Sequence, residues 1–358
     1  MRVLIAPDSF GDTLTAVQAA AAMAAGWSAG RPDDEPIEAP QSDGGPGFVD
    51  VLAARIGEPI AVTVDGPLDA PVRAHWLAAG DTAYLESAQA CGLALLGGPP
   101  DPRTAVAAHS RGVGQLIAAA VDAGATTVVV GLGGSGCTDG GRGLVEALGG
   151  GTDRAAVASA RERLAGIRLI AATDVRNPLL GEHGAAVVFG PQKGADAAAV
   201  EVLERRNAEW SRVLESAAGK RVADVEGAGA AGGIGAALLA LGATRESGAA
   251  VVATHTGQES LLASADLVLT GEGRFDHQSL RGKVVIALAE AAAGHGVPTV
   301  VIAGQVQLDA GEAEAAGLRA VYSVTDHAGS VRLAMSDAAG QLRALTEKVA
   351  RQWPPEGR

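Results

Sequence analysis

The stretch LVLTGEGRFDHQSLRGK, residues 267–283, opens as a buried strand, Leu267-Val268-Leu269, and breaks at Gly271 and Gly273. Around and beyond that break it delivers Glu272, Arg274, Asp276, Gln278 and Lys283, and an apolar helical run follows from Val284. A short apolar strand, a glycine break and a helix form the repeating unit of an open α/β sheet, and ligands bind beyond the carboxyl ends of such strands. Acids at that edge can hold a metal, while Arg and Lys neutralise phosphate oxygens. Taken alone, a solvated turn with surface ion pairs would look the same. The pattern, however, recurs along the chain.

Short β-rich runs alternate with Ala-rich helical stretches. This predicts an α/β protein with largely parallel strands. Residues 3–6 read as a strand and 7–10 as a loop, with Thr15 capping a helix from 16 to about 30. A second strand at 37–39 leads into QSDGGPGF. Strands at 267–269, 299–302 and 320–323 close the chain, with helices over 284–293, 309–316 and 330–352. Two strands at the start and three at the end make a complete doubly wound sheet. The expected domains are therefore 1–59 with 251–358, and an insertion at 60–250. Closely spaced strands at 61–64, 73–79 and 82–86, separated by turns such as DGPLDAP with Asp65 and Asp69, predict hairpins and a mixed sheet in the insertion. Further strands are expected at 127–130, 168–172 and 186–189.

Composition narrows the function. The 358 residues include 50 glycines, clustered after apolar runs, which points to turns where backbone approaches a ligand. Aromatic residues make up only 3%, so Ala, Val, Leu and Ile must fill the core, and Trp27, Trp76, Trp210 and Trp353 read as packing residues. A formal charge of −13 argues against nucleic acid, whose phosphates require basic patches. The two cysteines, Cys91 and Cys137, have no metal-site spacing and cannot frame a disulfide scaffold. No run reaches the roughly 18 apolar residues of a membrane helix, and the opening MRVLIAPDSF reads as strand and turn. A cytoplasmic location without membrane contact is expected.

Five polar clusters follow strands or open helices: Asp8-Ser9, Ser42-Asp43-Gly44-Gly45, GLGGSGCTDGG at 131–141, ATDVRNPL with FGPQKGA, and 270–283. Glycine beside Asp or Ser lets backbone N–H groups converge on an anion. Gly131, Gly133 and Gly136 spell GxGxxG after the strand TTVVV, the dinucleotide fingerprint. That fingerprint needs an acid ending the next strand, and Asp153, at the right spacing, sits in a turn. A phosphate-holding loop completed by Ser135, Thr138 and Asp139 is the stronger reading, and a purely structural glycine turn ranks between the two. Glu86 in YLESAQACGL reads equally as a strand-end ligand or a helix cap. Lys193 and Lys283 both adjoin glycine, and Asp174 and Asn177 flank Arg176 after a strand. There is neither a Walker A loop nor a nucleophile elbow, so phosphoryl transfer by positioning is the chemistry these parts suit.

In order, APDSF, SDGGPG, VDGPL, ESAQACGL, GGSGCTDGG, TDVRNPLLG, GAAVVFGPQKGA, GAGAAGGIGAAL and TGEGRFDHQSLRGK resemble the glycerate kinase type I family along almost the whole chain. The resemblance implies a flavodoxin-like domain with an inserted second α/β domain. It also implies transfer of the γ-phosphoryl group of ATP to (R)-glycerate with Mg²⁺. Carried onto this sequence, Arg274 holds the carboxylate with Lys283, and Ser9, Asn177 and Gln278 contact substrate. Asp8, Asp43 or Glu272 anchors the metal. Asp174 is the first choice of general base and Asp276 the second, with Lys193 and Lys283 at the phosphoryl group. Gly44, Gly45, Gly133, Gly134, Ser135 and Asp139 receive nucleotide phosphates.

Several positions depart from the family pattern. Gly11-Asp12 follows DSF where a lysine is usual, Pro46 replaces an acid, Thr138 replaces Asn, and Arg111 replaces an aromatic residue. Arg111 offers a substitute for the missing charge. The rival readings are a non-catalytic glycerate-binding homologue and a nicotinamide-dependent dehydrogenase resting on 131–136.

Overall fold

The structure is a computed structural model, and it describes residues 1–277, 279–281 and 284–353. The chain forms two compact units, Met1–Ser42 with Val252–Arg358, and Asp43–Val251. The chain first passes between units at 42/43, where the sequence placed the crossing at 59/60. The helix Phe48–Ala53 belongs to the second unit because it packs on the strands Pro71–Ala79 and Thr82–Glu86.

The first unit is built on five parallel strands in the order Ala320–Ser323, Thr299–Ala303, Leu267–Thr270, Arg2–Ile5, Glu35–Glu38. Numbered by their appearance within this unit they read 5-4-3-1-2, the flavodoxin-like order, which reverses between Arg2–Ile5 and Leu267–Thr270. The apolar residues of the central strands are fully buried, with Val3, Leu4, Ile5, Leu267, Val268 and Leu269 all at 0% exposure. The helix Ala16–Gly30 starts at Thr15, whose side chain accepts from Gln18 N in a full capping box. It packs on Ala338–Gln352 so closely that a β-carbon on Gly26 would lie 2.4 Å from the Arg343 carbonyl oxygen.

Two details differ from the sequence reading. The single helix expected over 330–352 is two, Val331–Ser336 and Ala338–Gln352, broken at Asp337 with φ −133° and ψ 49°. Ser336 and Asp337 favour such breaks because their short polar side chains compete for local backbone hydrogen bonds. In addition, Arg274–Phe275 leaves the main sheet to pair in parallel with Gln305–Val306, a pairing too short to show periodicity.

The second unit carries a six-stranded mixed sheet. Glu58–Asp65, Pro71–Ala79 and Thr82–Glu86 form an antiparallel meander, and Thr127–Gly131, Arg168–Ala172 and Thr244–Glu246 continue it in parallel. Asp69 adopts φ 67° in the turn of the first hairpin. The run at 186–189, expected as a strand, is the helix Ala185–Phe189. Short apolar runs do not reveal their period, and Val187 and Val188 are exposed, so they fill no sheet interior. Trp76 and Trp210 are buried in this unit and Trp27 in the other, as packing residues.

Candidate active site

In the first unit the two loops at the topological reversal continue the strand pairing past the strand ends. Ala6 N donates to Leu269 O at 2.8 Å, Asp8 N to Gly271 O at 2.8 Å, and Gly273 N to Ser9 O at 3.3 Å. The Gly271 break is required: a β-carbon there would sit 2.0 Å from the Ile302 carbonyl oxygen. These loops bring Asp8, Ser9, Glu272 and Arg274 to one cleft of about 450 Å³, along with Gly11, Asp12, Gln305 and Thr325. The Arg274 guanidinium is exposed and makes no ion pair among the described residues, which leaves it available to an anion. The Asp8 Oδ1 accepts from Ser9 N at 2.6 Å, fixing the start of the loop. Asp276 lies in the following turn, where its N–H donates to Ser279 Oγ at 3.2 Å. Gln278 and Lys283, expected in the site, lie outside the described residues.

The second unit gathers three glycine-rich segments at the ends of its parallel strands. Glu86, Gly131 and Ala172 are in register, so the loops that follow them emerge side by side. A β-carbon on Gly133 would meet the Gly45 α-carbon at 2.4 Å, and one on Gly134 would meet Pro46 at 2.5 Å. A β-carbon on Gly232 would lie 2.0 Å from the Cys137 carbonyl oxygen. Gly45, Gly133 and Gly134, expected to receive nucleotide phosphates, lie where these loops pack on one another.

Lys193 is 3% exposed and its ammonium donates to Ser135 Oγ at 2.9 Å and Cys137 O at 2.6 Å. Burial holds its pKa below the usual lysine value. Its charge therefore braces the 135–137 turn from inside. Asp139 is likewise engaged. Its carboxylate accepts from Ser110 N (2.9 Å), Ser110 Oγ (2.8 Å), Gly141 N (3.1 Å) and Gly143 N (3.0 Å), which ties the start of the helix Arg142–Gly149 to the neighbouring loop. Asp43 Oδ1 accepts from Gly45 N at 3.0 Å.

Asp174 is exposed just beyond the strand Arg168–Ala172, with Oδ2 accepting from Ala249 N at 3.2 Å. Asn177 spends its amide N–H on His183 O at 2.8 Å. The Arg111 guanidinium is held by Asp69 at 2.7 Å, Glu146 at 3.3 Å and Asp65 at 3.8 Å. Three acids already neutralise it, so it does not replace a missing lysine.

Sequence reasoning left Glu86 undecided. It is 3% exposed, and Oε2 accepts from Gly47 N at 2.9 Å and Val49 N at 3.4 Å, at the start of the helix Phe48–Ala53. Its place is that of a cap supplied from a neighbouring strand. Burial pushes its pKa up to about 7, against the pull of the backbone N–H groups. The dinucleotide reading fares poorly. The 131–136 loop does not run directly into a helix, since the next begins at Arg142, and Asp153 caps Arg154–Arg163 through Ala156 N at 2.8 Å.

The profile of the glycerate kinase family matches residues 3–354. The chain belongs to that family. It is 39% identical to the glycerate kinase of Bacillus subtilis and 38% identical to the glycerate 2-kinase of Escherichia coli, each over 98% of this chain and 97% of the relative. An uncharacterised protein of Mycobacterium bovis is 58% identical over 98% of this chain and 91% of its own length. The crystal structure of a glycerate kinase 2 candidate from Salmonella typhimurium LT2 superposes with a TM-score of 0.77, at 35% identity and 98% coverage of both chains. Among glycerate kinase family members, then, this chain combines the switch-point cleft with Gly11-Asp12 at the loop where the sequence pattern leads one to expect lysine.

Among the described residues no group of three or more His, Cys, Asp or Glu side chains forms a metal cage. Mg²⁺ does not need one. It is ordinarily held by one or two carboxylates and substrate phosphates, and Asp8 and Glu272 on one cleft supply such a pair. No helix of the described residues is long and apolar enough to cross a membrane.

Proposed function

We propose that this protein transfers the γ-phosphoryl group of ATP to (R)-glycerate, with the C2 hydroxyl as acceptor and 2-phosphoglycerate as product. The observation that carries this reading is the family match over residues 3–354, joined to the meeting of Asp8, Ser9, Glu272 and Arg274 at the reversal of a flavodoxin-like sheet. The choice of C2 follows the Escherichia coli relative, named a glycerate 2-kinase.

The reaction asks little covalent chemistry of the protein. A base accepts the hydroxyl proton, the alkoxide oxygen bonds to the γ-phosphorus, and the bond from that phosphorus to the β–γ bridging oxygen breaks to release ADP. Asp174, exposed at a strand end, is assigned as the base, with Asp276 as the alternative. Arg274 offers an unpaired bidentate donor for a carboxylate or phosphate. Asp8 and Glu272 would hold Mg²⁺, which supplies charge neutralisation on the phosphates when bound. Lys193 and Asp139 act on the reaction through the loop they brace. Incubation with Mg-ATP and D-glycerate, followed by phosphorus NMR, should yield ADP and a secondary phosphate ester. A primary ester would move the acceptor to C3. Glycerate binding without ADP formation would mark a non-catalytic homologue, and an absorbance change dependent on NAD would sink the kinase reading.

A further inference from the structure

The cleft at the sheet reversal has two unlike walls. One carries Asp8, Ser9, Glu272 and Arg274; the other is apolar and comes from Val331, Ala334, Met335 and Leu342. Glycerate is a three-carbon acid with oxygen on every carbon, so it can satisfy the first wall and has nothing to offer the second. The cleft of about 450 Å³ is also far larger than such an acid needs and falls in the range typical of cofactor-sized ligands, roughly 300–1,000 Å³.

The apolar wall is exposed in a way that sets it apart. Seven large hydrophobic side chains of the described residues are exposed, and three of them, Val331 at 43%, Leu333 at 43% and Met335 at 59%, lie on the helix Val331–Ser336. Such clustering of apolar surface beside a polar cleft marks a contact for something that covers it. A flexible methionine suits a flat heteroaromatic ring, since its thioether packs favourably against aromatic edges. The helix is short and separated from Ala338–Gln352 by the break at Asp337, so it presents these side chains at the mouth of the cleft instead of burying them in the helix pair.

We propose that the base of the adenine nucleotide seats on Val331 and Met335, with its phosphates directed to Ser9 and Arg274 and to the Mg²⁺ that Asp8 and Glu272 would hold. This rests on the kinase reading above and assigns to the first unit the nucleotide whose phosphates the family resemblance carried to the 44–47 and 133–136 loops. Those loops, whose glycines are taken up by packing on each other, brace the second unit.

The test uses the full-length protein and mant-ADP, with Val331→Glu and Met335→Glu as separate variants. Both positions are exposed, so both variants should retain the wild-type melting temperature. The expected result is a rise of about tenfold or more in the mant-ADP Kd and in KM for ATP, as a carboxylate is set against an apolar ring. KM for glycerate should change less than twofold. Unchanged mant-ADP binding in both folded variants would overturn the proposal, as would a rise confined to KM for glycerate. Glycerate-dependent ADP formation by the wild type tests the kinase reading separately. Nucleotide binding that depends on Val331 and Met335, without turnover of glycerate, would leave the seat standing and remove the acid substrate.

Discussion

A β-carbon placed on Gly133 would lie 2.4 Å from the α-carbon of Gly45, closer than any side chain can approach backbone without displacing it. The two loops of the second unit are therefore locked by the absence of side chains. Gly133→Ala should force them apart and cost about 2 kcal/mol or more, as overpacking does at a site with no flexible neighbour to yield. Calorimetry should show a melting temperature lower by several degrees. An unchanged temperature would mean that the loops separate freely.

That contact also explains what could be read from the chain and what could not. The alternation of strands and helices is legible where a strand is a short apolar run ended by glycine or a polar residue, as at Leu267–Thr270; the polar strand Thr244–Glu246 carries no such mark. The capped start of Ala16–Gly30 is equally legible from Thr15. The purpose of the glycines was not. A glycine that admits a phosphate and one that admits another loop leave the same mark in sequence, and only the partner backbone distinguishes them. The burial of Lys193 is equally invisible in sequence: a lysine beside glycine does not reveal that its ammonium is folded inward onto Ser135 and Cys137. The cleft residues Asp8, Ser9, Glu272 and Arg274 were found because they follow strand ends. The apolar wall is not legible, because the run 330–352 reads as one helix and the break at Asp337 that sets Val331–Ser336 apart carries no clear mark.

Glu86 makes stability depend on pH. Burial pushes its pKa up to about 7 in the folded protein against 4.5 for an ordinary glutamate carboxyl, so between these values the folded state binds the extra proton. The resulting stabilisation is complete below about pH 4.5 and is lost as pH rises through 7. Urea denaturation should show the wild type losing roughly 2–3 kcal/mol between pH 5 and pH 8 relative to Glu86→Gln. Parallel pH profiles for the two proteins would show that Glu86 titrates normally.

Gly11 occupies the position where a lysine was expected, in the left-handed region with φ 56°, and a β-carbon there would meet nothing within 4 Å. Gly11→Lys should thus be accommodated at a cost of about 1 kcal/mol in backbone strain. The added ammonium beside the cleft should lower KM for whichever substrate presents its charge there, by roughly fivefold, as expected for one partly screened charge pair. If KM for both ATP and glycerate stays fixed, the usual lysine is not a substrate contact in this chain.

Removal of divalent metal should abolish ADP formation, and Mg²⁺ should restore it. Asp8→Asn and Glu272→Gln should each raise the half-saturating Mg²⁺ concentration by about tenfold, since each removes one of the few protein oxygens a Mg²⁺ site ordinarily uses. If Asp43→Asn alone produces the rise, the metal belongs to the second unit.

The general base is decided by a pair of substitutions. Asp174 stands exposed beyond a strand end with one carboxylate oxygen accepting from Ala249 N, and Asp276 lies in a turn whose backbone it shares with Ser279. A positioned base contributes about 10²–10⁴ to rate, and its loss falls on kcat because proton transfer belongs to the transition state. Asp174→Asn should therefore lower kcat by about a hundredfold or more with little change in either KM, while Asp276→Asn should stay within about tenfold of wild type. The asparagine variants keep side-chain size and the hydrogen bond from Ala249, which separates loss of a base from loss of the loop. A near-normal kcat in Asp174→Asn together with a collapse in Asp276→Asn would transfer the role to Asp276.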